Sequence, residues 1–260
     1  MPLLSVQQLR ISLHNKPLVQ NIDFAIEAGE WLTLVGESGS GKSLTALALG
    51  GLLPKGMSVA GRIMLQHENL IALSNKDWRK WRGAQVAYIF QDYQSSFTPF
   101  ITIGKQLDEM IRSHRSLSKS ERRKLAFQAL EDVQLPPDRV YHRYPFQLSG
   151  GQLQRAAIAA AIMLRPSLLI ADEPTTALDC VNAAHVLETI ARLQKKTNCA
   201  ILFITHDLRQ AKTYSDTIAV MKQGQIVEMG RAEDVLNRPS HPYTKQLLQA
   251  IPPVRQRRLS

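Results

Sequence analysis

This sequence is short of cysteine, of long apolar runs, of repeats and of acidic residues, and each shortage excludes something. Its two cysteines, Cys180 and Cys199, cannot make a disulfide framework and lack the close CxxC spacing of a zinc site. They fit a reducing, cytosolic compartment. A membrane span needs about 18 or more consecutive apolar residues. The longest stretch here, AAIAAAIML at Ala156–Leu164, is closed by Arg165 and Pro166. The opening residues MPLLSVQQLR have no basic head followed by an apolar core, so no secretory signal is expected. Repeats and low-complexity tracts are missing, and 44 % of residues are hydrophobic against 21 % charged, which sets aside disorder, collagen and coiled coil. The 22 acidic residues are outnumbered by 32 Lys and Arg, for a formal charge of +10. A basic surface favours anions: nucleotides, nucleic acid or acidic headgroups.

What is present alternates between strand-like and helix-like segments. WLTLVG (31–36), VAYIF (86–90), LLIAD (168–172) and AILFIT (200–205) are short apolar runs, suited to strands buried on both faces of a parallel sheet. KSLTALALGGLL (42–53) reads as the helix after the first of them. IAVMKQGQIVEMG (218–230) reads as a hairpin turning at Gln223-Gly224, and the V-x-x-L-x-I-x-L pattern from Val6 to Leu13 as an antiparallel edge. Between about 92 and 164 the chain is charged and helix-like. Its clearest amphipathic element is SKSERRKLAFQALEDV (118–133), where Ser118 and Glu121 make a capping box. The expectation is one α/β domain spanning 1–260. Segments 1–91 and 165–236 form the core with its antiparallel β part, 92–164 an inserted helical part, and 237–260 a C-terminal extension.

Gly36, Glu37, Ser38, Gly39, Ser40, Gly41, Lys42 and Ser43 satisfy G-x-x-x-x-G-K-[ST] between an expected strand and an expected helix. Glycines let the backbone wrap an anion, and successive N–H groups with the helix N-terminus face its phosphates. Lys42 is then placed for the β- and γ-phosphates and Ser43 for Mg²⁺. In LLIADEPTTALD, Asp172 and Glu173 stand at the C-terminal end of a strand, the edge of a parallel sheet where ligands bind. Asp172 suits Mg²⁺ through its water shell, and Glu173 suits polarising a water beside the γ-phosphate.

LSGGQLQR (148–155), the phosphate loop and DEPTTALD together resemble the nucleotide-binding subunit of ATP-binding cassette (ABC) transporters. The resemblance covers essentially the whole chain, and it implies a P-loop NTPase core with an antiparallel β subdomain and an inserted α-helical subdomain. It implies that Gln91, after VAYIF, touches Mg²⁺ and the attacking water. Ser149, Gly150, Gly151 and Gln152 are implied to bind the γ-phosphate of ATP held by an opposite subunit. Asp179 is implied to lie in a loop crossing the dimer interface, and His206 to contact the γ-phosphate and hold Glu173 and the water. The stretch SGG is expected to precede a helix beginning near Gln152, offering a second anion-binding helix end. Two anion sites per chain suggest head-to-tail sandwiching of two chains around ATP. The family's usual adenine-stacking aromatic has no counterpart, since Leu13 or His14 falls at that place.

The segment HPYTKQLLQAIP (241–252), with EPTTALD and YPFQLSGGQLQR, resembles oligopeptide, dipeptide and nickel importer ATPases. The end at Ser260, without a cysteine-bearing tail, resembles nickel or metallophore importers. The implied activity is hydrolysis of ATP to ADP and phosphate, powering import. The implied partners are permease subunits, a second ATPase subunit (a paralogue or a second copy), and indirectly an extracytoplasmic binding protein. The implied location is the cytoplasmic face of the membrane. Phe97, Pro99, Phe100 and Ile101 are a candidate permease-facing patch or else internal packing. Arg255, Arg257 and Arg258 are a candidate for contact with anionic lipid or a solvated end. A nucleic-acid-associated cassette ATPase, or one in a carbon–phosphorus lyase complex, is the alternative. Nucleic acid is not the expected partner, because positive charge is spread along the chain and no zinc module or coiled-coil insertion is seen.

Overall fold

The apolar runs form the centre of the molecule because both of their faces are covered. The computed structural model describes residues 1–176 and 178–250. In chain order the elements are β1 (Leu4–Leu13), β2 (Lys16–Ile26), β3 (Trp31–Val35), α1 (Lys42–Leu49), β4 (Met57–Leu65), β5 (Glu68–Asn69), α2 (Asn75–Trp81), β6 (Val86–Ile89), α3 (Ile103–His114), α4 (Lys119–Asp132), α5 (Pro137–Val140), α6 (Gly150–Ile162), β7 (Leu168–Asp172), α7 (Cys180–Thr197), β8 (Ala200–Ile204), α8 (Leu208–Tyr214), β9 (Thr217–Lys222), β10 (Gln225–Arg231), α9 (Ala232–Asn237) and α10 (Pro242–Gln249). The basic residues Arg255, Arg257 and Arg258 and the end of the HPYTKQLLQAIP segment lie outside the described residues. Among the described residues no helix is long and apolar enough to cross a membrane.

A six-stranded sheet runs in the order β10-β9-β3-β8-β7-β6, parallel throughout except for β10. Side chains alternate across it. Leu169, Ala171, Ile201 and Phe203 pack against Ile103, Leu130, Ile158 and Leu187 of the helical layer. Leu168, Ile170, Leu202 and Ile204 pack against Leu49 of α1 and against Leu4, Leu9, Ile22 and Ile63 of a second, antiparallel sheet, β2-β1-β4-β5. Full burial of each Leu or Ile contributes about 1.5–3 kcal/mol. Cys199, just before β8, is buried, and burial pushes its thiol up to about 12, whereas Cys180 opens α7 on the surface.

The V-x-x-L spacing in β1 is a bulge. Gln8 adopts φ +47° and the register shifts there, so Val6 and Leu9 both face inward although three residues apart. Opposite the bulge, Gly61 sits at φ +106°, where a Cβ would lie 2.5 Å from the Gln8 carbonyl oxygen.

Helix α1 is shorter than the sequence pattern predicts and stops at Leu49 rather than near Leu53. Gly50 and Gly51 form a complete left-handed stop: the Leu52 N–H donates to the Leu47 carbonyl (2.8 Å) and the Gly51 N–H to the Ala48 carbonyl (3.1 Å). The Trp78 ring lies over Gly51, where any Cβ would clash. The β9–β10 hairpin turns on Gln223 (φ +48°) and Gly224 (φ +81°), the pair of positive φ values that matches strand twist. Helix α4 carries the Ser118–Glu121 capping box.

The C-terminal segment is tied to this hairpin. Glu228 of β10 accepts hydrogen bonds from the Ser240 N–H (2.7 Å), the Ser240 hydroxyl (2.8 Å) and the His241 N–H (3.0 Å). Partial burial raises its carboxyl, but these donors outweigh that and hold it at about 2.

Replacing Gly61 by Ala is expected to lower the unfolding free energy by about 2–3 kcal/mol, through strain at the bulge. Urea denaturation of the two chains measures it, and an unchanged midpoint contradicts the assigned bulge geometry.

Candidate functional site

Three strand ends meet at one edge of the parallel sheet. β3 leads into the loop 36–41, β7 ends at Asp172, and β8, which lies between them, leads to His206. The loop is held from behind by its neighbours. The Gly224 N–H at the hairpin tip donates to the Ser40 carbonyl (3.0 Å), and a Cβ on Gly36 would lie 2.2 Å from the Met221 carbonyl oxygen. Gly39, at φ +80°, faces open space on its Cβ side. A cavity of about 520 Å³ lies over the loop, lined by Ser38, Gly39, Gly41, Lys42 and Ser43 together with Gln91, Glu173 and His206. Ser40 is buried beneath it, and Asp172 lies deeper, reached through Ser43.

Lys42 heads α1 with its ammonium curled back over the loop, donating to the carbonyls of Gly36 (2.9 Å) and Glu37 (2.8 Å). Burial pushes it below the ordinary lysine range, and the charges of Glu173 and Asp172 oppose that shift. Asp172 moves the other way, since burial raises its carboxyl while hydrogen bonds from Tyr88 and Ser43 oppose the rise. The Ser43 hydroxyl donates to Asp172 Oδ1 (3.1 Å) and the Tyr88 hydroxyl to Oδ2 (2.9 Å). This is a hard-oxygen donor set around an under-compensated carboxylate, the chemistry that suits Mg²⁺.

Glu173 takes φ +46°, a left-handed backbone on a residue followed by proline. Such a conformation costs about 1–3 kcal/mol and persists only where neighbours over-determine it. Here its N–H donates to the Ile204 carbonyl (3.0 Å), and the Thr176 hydroxyl donates to its Oε2 (2.8 Å). His206 Nδ1 stands 3.3 Å from the same Oε2. Behind the pair, Gln210 links the two turns: it accepts from the Thr205 hydroxyl (3.2 Å) and donates to the Thr175 hydroxyl (3.1 Å).

The LSGGQLQR segment (148–155) stands apart from this cavity. Ser149 is the N-cap of α6, which begins at Gly150, so the expected start near Gln152 is corrected by two residues. The reason is local: the Ser149 hydroxyl accepts from the Gln152 N–H (3.3 Å), and the Gln152 side chain accepts from the Ser149 N–H (3.1 Å), a complete capping box. The first helical hydrogen bond runs from the Leu153 N–H to the Ser149 carbonyl, leaving the Gly150 and Gly151 amides as first-turn donors. Gln154, 1 % exposed, donates to the Pro174 carbonyl and ties α6 to the turn after Glu173. Asp179 caps α7, accepting from the Val181 (3.1 Å) and Asn182 (3.0 Å) N–H groups.

Leu13 ends β1 and His14 enters the turn to β2 at φ +47°; neither borders the phosphate cavity. The patch after Gln91 divides, with Phe97 buried in the helical layer and Phe100 84 % exposed. Sequence reasoning missed Tyr88, Thr176, Gln210 and Gln154. Tyr88 pairs in register with Ile170, two residues before Asp172 and on the same face, a relation that only the strand pairing reveals.

Known proteins resemble this chain over most of its length. The profile of the family described as ABC transporter matches residues 19–176, and that of the oligopeptide/dipeptide transporter C-terminal region matches residues 227–259. The metal-staphylopine import system ATP-binding protein CntD of Staphylococcus aureus is 41 % identical over 251 residues, covering 95 % of this chain and 93 % of that protein. The oligopeptide transport ATP-binding protein OppD of Bacillus subtilis is 41 % identical over 257 residues, covering 96 % and 72 %. A solved dimeric, post-hydrolysis structure of the ATP-binding cassette MJ0796, bound to ADP and phosphate, superimposes with a TM-score of 0.76 at 26 % identity, covering 88 % of this chain and 98 % of that one. With the family profile spanning more than half of its length, the chain belongs to the ABC transporter family and is one of its ATP-hydrolysing cassettes.

Proposed function

We propose that the chain is the ATP-hydrolysing subunit of an importer for metal chelates, nickel included, or for short peptides. It works as one of two cassettes paired head to tail beneath permease subunits, on the cytoplasmic face of the membrane, with cargo delivered by an extracytoplasmic binding protein. The reading takes 1–91 and 165–236 as the core, 92–164 as a helical arm and 237–260 as an extension. One observation carries it: two sets of groups suited to phosphate stand apart. Lys42, Ser43, Gln91, Glu173 and His206 border one cavity, while the free first-turn amides of Gly150 and Gly151 lie outside it. A second cassette turned end for end brings those amides to the first one's nucleotide. The cargo reading is supported by the C-terminal match and by the names of the relatives.

In this scheme the loop amides and Lys42 hold the β- and γ-phosphates. Glu173, aimed by Thr176 and His206, takes the proton from the attacking water, and no covalent intermediate forms. Mg²⁺ would be held by Ser43 with Asp172 and Gln91, and it supplies neutralisation of phosphate charge. An apolar groove of about 540 Å³, lined by Phe90, Phe97, Ile101, Met110 and Ala157, is the place offered to a permease segment, with exposed Phe100 close by in sequence.

Glu173→Gln is expected to lower ATP turnover by about 10²–10⁴-fold while retaining nucleotide binding. In cells it is expected to abolish uptake of either a labelled metal chelate or a labelled dipeptide, and uptake of both at wild-type rates overturns the importer reading. Sedimentation of the same variant with ATP is expected to give a two-chain particle, alone or with a paralogue, and a monomer in every mixture rules out the sandwich. Asp172→Asn is expected to raise the Mg²⁺ concentration for half-maximal turnover by about tenfold or more, and EDTA to stop turnover in the unmodified chain. An unshifted Mg²⁺ titration removes Asp172 from the metal site.

A further inference from the structure

The C-terminal segment reaches back to the phosphate loop. The Tyr243 hydroxyl accepts a hydrogen bond from the Glu37 N–H at 3.0 Å, across 206 residues of sequence. That N–H belongs to the Gly36–Glu37 peptide, whose carbonyl accepts from the Lys42 ammonium at 2.9 Å. In a trans peptide the N–H and C=O point in opposite directions. One peptide plane is therefore held at both ends, by Lys42 on the nucleotide side and by Tyr243 on the other. Tyr243 itself has little freedom. It is 6 % exposed, among Val35, Leu208 and Val220. The Lys222 ammonium lies 4.6 Å from its ring centroid, and its own N–H donates to His241 Nδ1 at 3.1 Å. The residues before it are fixed to Glu228 by two N–H groups and a hydroxyl.

We propose that Tyr243 is a positioning residue of the phosphate loop, holding the Gly36–Glu37 peptide in its nucleotide-ready orientation when Lys42 moves from the loop carbonyls to the phosphates. The C-terminal extension is thereby a structural part of the ATP site, acting on substrate binding and not on the attacking water. Ordering the loop in advance removes that cost from the binding step. This rests on the loop being the ATP cradle, and protection of the Ser38 and Gly39 amides on adding ATP to the wild-type chain tests that premise by itself.

The test is Tyr243→Phe in the full chain, which keeps the ring, its packing and the Lys222 contact and removes only the hydroxyl. KM for ATP is expected to rise roughly three- to tenfold, the effect of one neutral hydrogen bond, with kcat within about twofold. Amide exchange at Glu37 is expected to quicken by a similar factor. A KM unchanged within twofold, or a fall in kcat at constant KM, overturns the proposal. So does a raised KM with Glu37 still protected, which assigns the effect to packing. A measurement on the wild-type chain needs no variant to fold: its Glu37 amide is expected to exchange at least threefold more slowly than the Ser38 and Gly39 amides, and equal rates overturn the proposal.

Discussion

The site depends on the register of three parallel strands. Leu34 of β3 is level with Ile204 of β8, and Ile204 is level with Asp172 of β7. The phosphate loop, Glu173 and His206 leave the sheet within two residues of that line, which brings a lysine, two carboxylates and an imidazole to one edge. The strands are apolar on both faces, so inside-outside patterning does not by itself prevent a slip. Volume does. Ala171 lies opposite Phe203, a small side chain facing a large one, and displacing the pair leaves a void on one side and a clash on the other. The polar end of β7 adds a second lock, because Asp172 finds Ser43 and Tyr88 only at the edge.

Much of this was legible in the chain because the relevant signals are local. The phosphate loop, the Asp172-Glu173 pair, the Gln223-Gly224 turn and the Ser118–Glu121 cap each lie within one short window. The features that were not legible are those made by residues far apart in sequence. Tyr88 reaches Asp172 only after two strands pair, and Gln210 bridges two turns that come together at the sheet edge. The early stop of α1 was marked by Gly50-Gly51, yet apolar periodicity continued through Leu53 and suggested a longer helix. The start of α6 was mistaken for a different reason: two glycines look like a flexible lead-in, but the serine before them and the glutamine after them close a cap around them.

That cap also fixes the local shape of the segment around Ser149. Ser149 and Gln152 satisfy one another, and among the described residues the Gly150 and Gly151 amides have no hydrogen-bond partner. Gln154 joins the same helix to the Pro174 carbonyl, so α6 and the turn after β7 share a contact. That contact lies one residue after Glu173, whose left-handed backbone at φ +46° persists only where neighbours over-determine it.

The unequal burial of the two thiols gives the molecule an unintended convenience. Cys199 is sealed behind β8 with its proton held firmly, while Cys180 lies open beside Asp179. A maleimide dye therefore meets a single address, at the N-terminus of α7. A fluorophore placed there reports on the surroundings of the α7 N-terminus without any engineered cysteine.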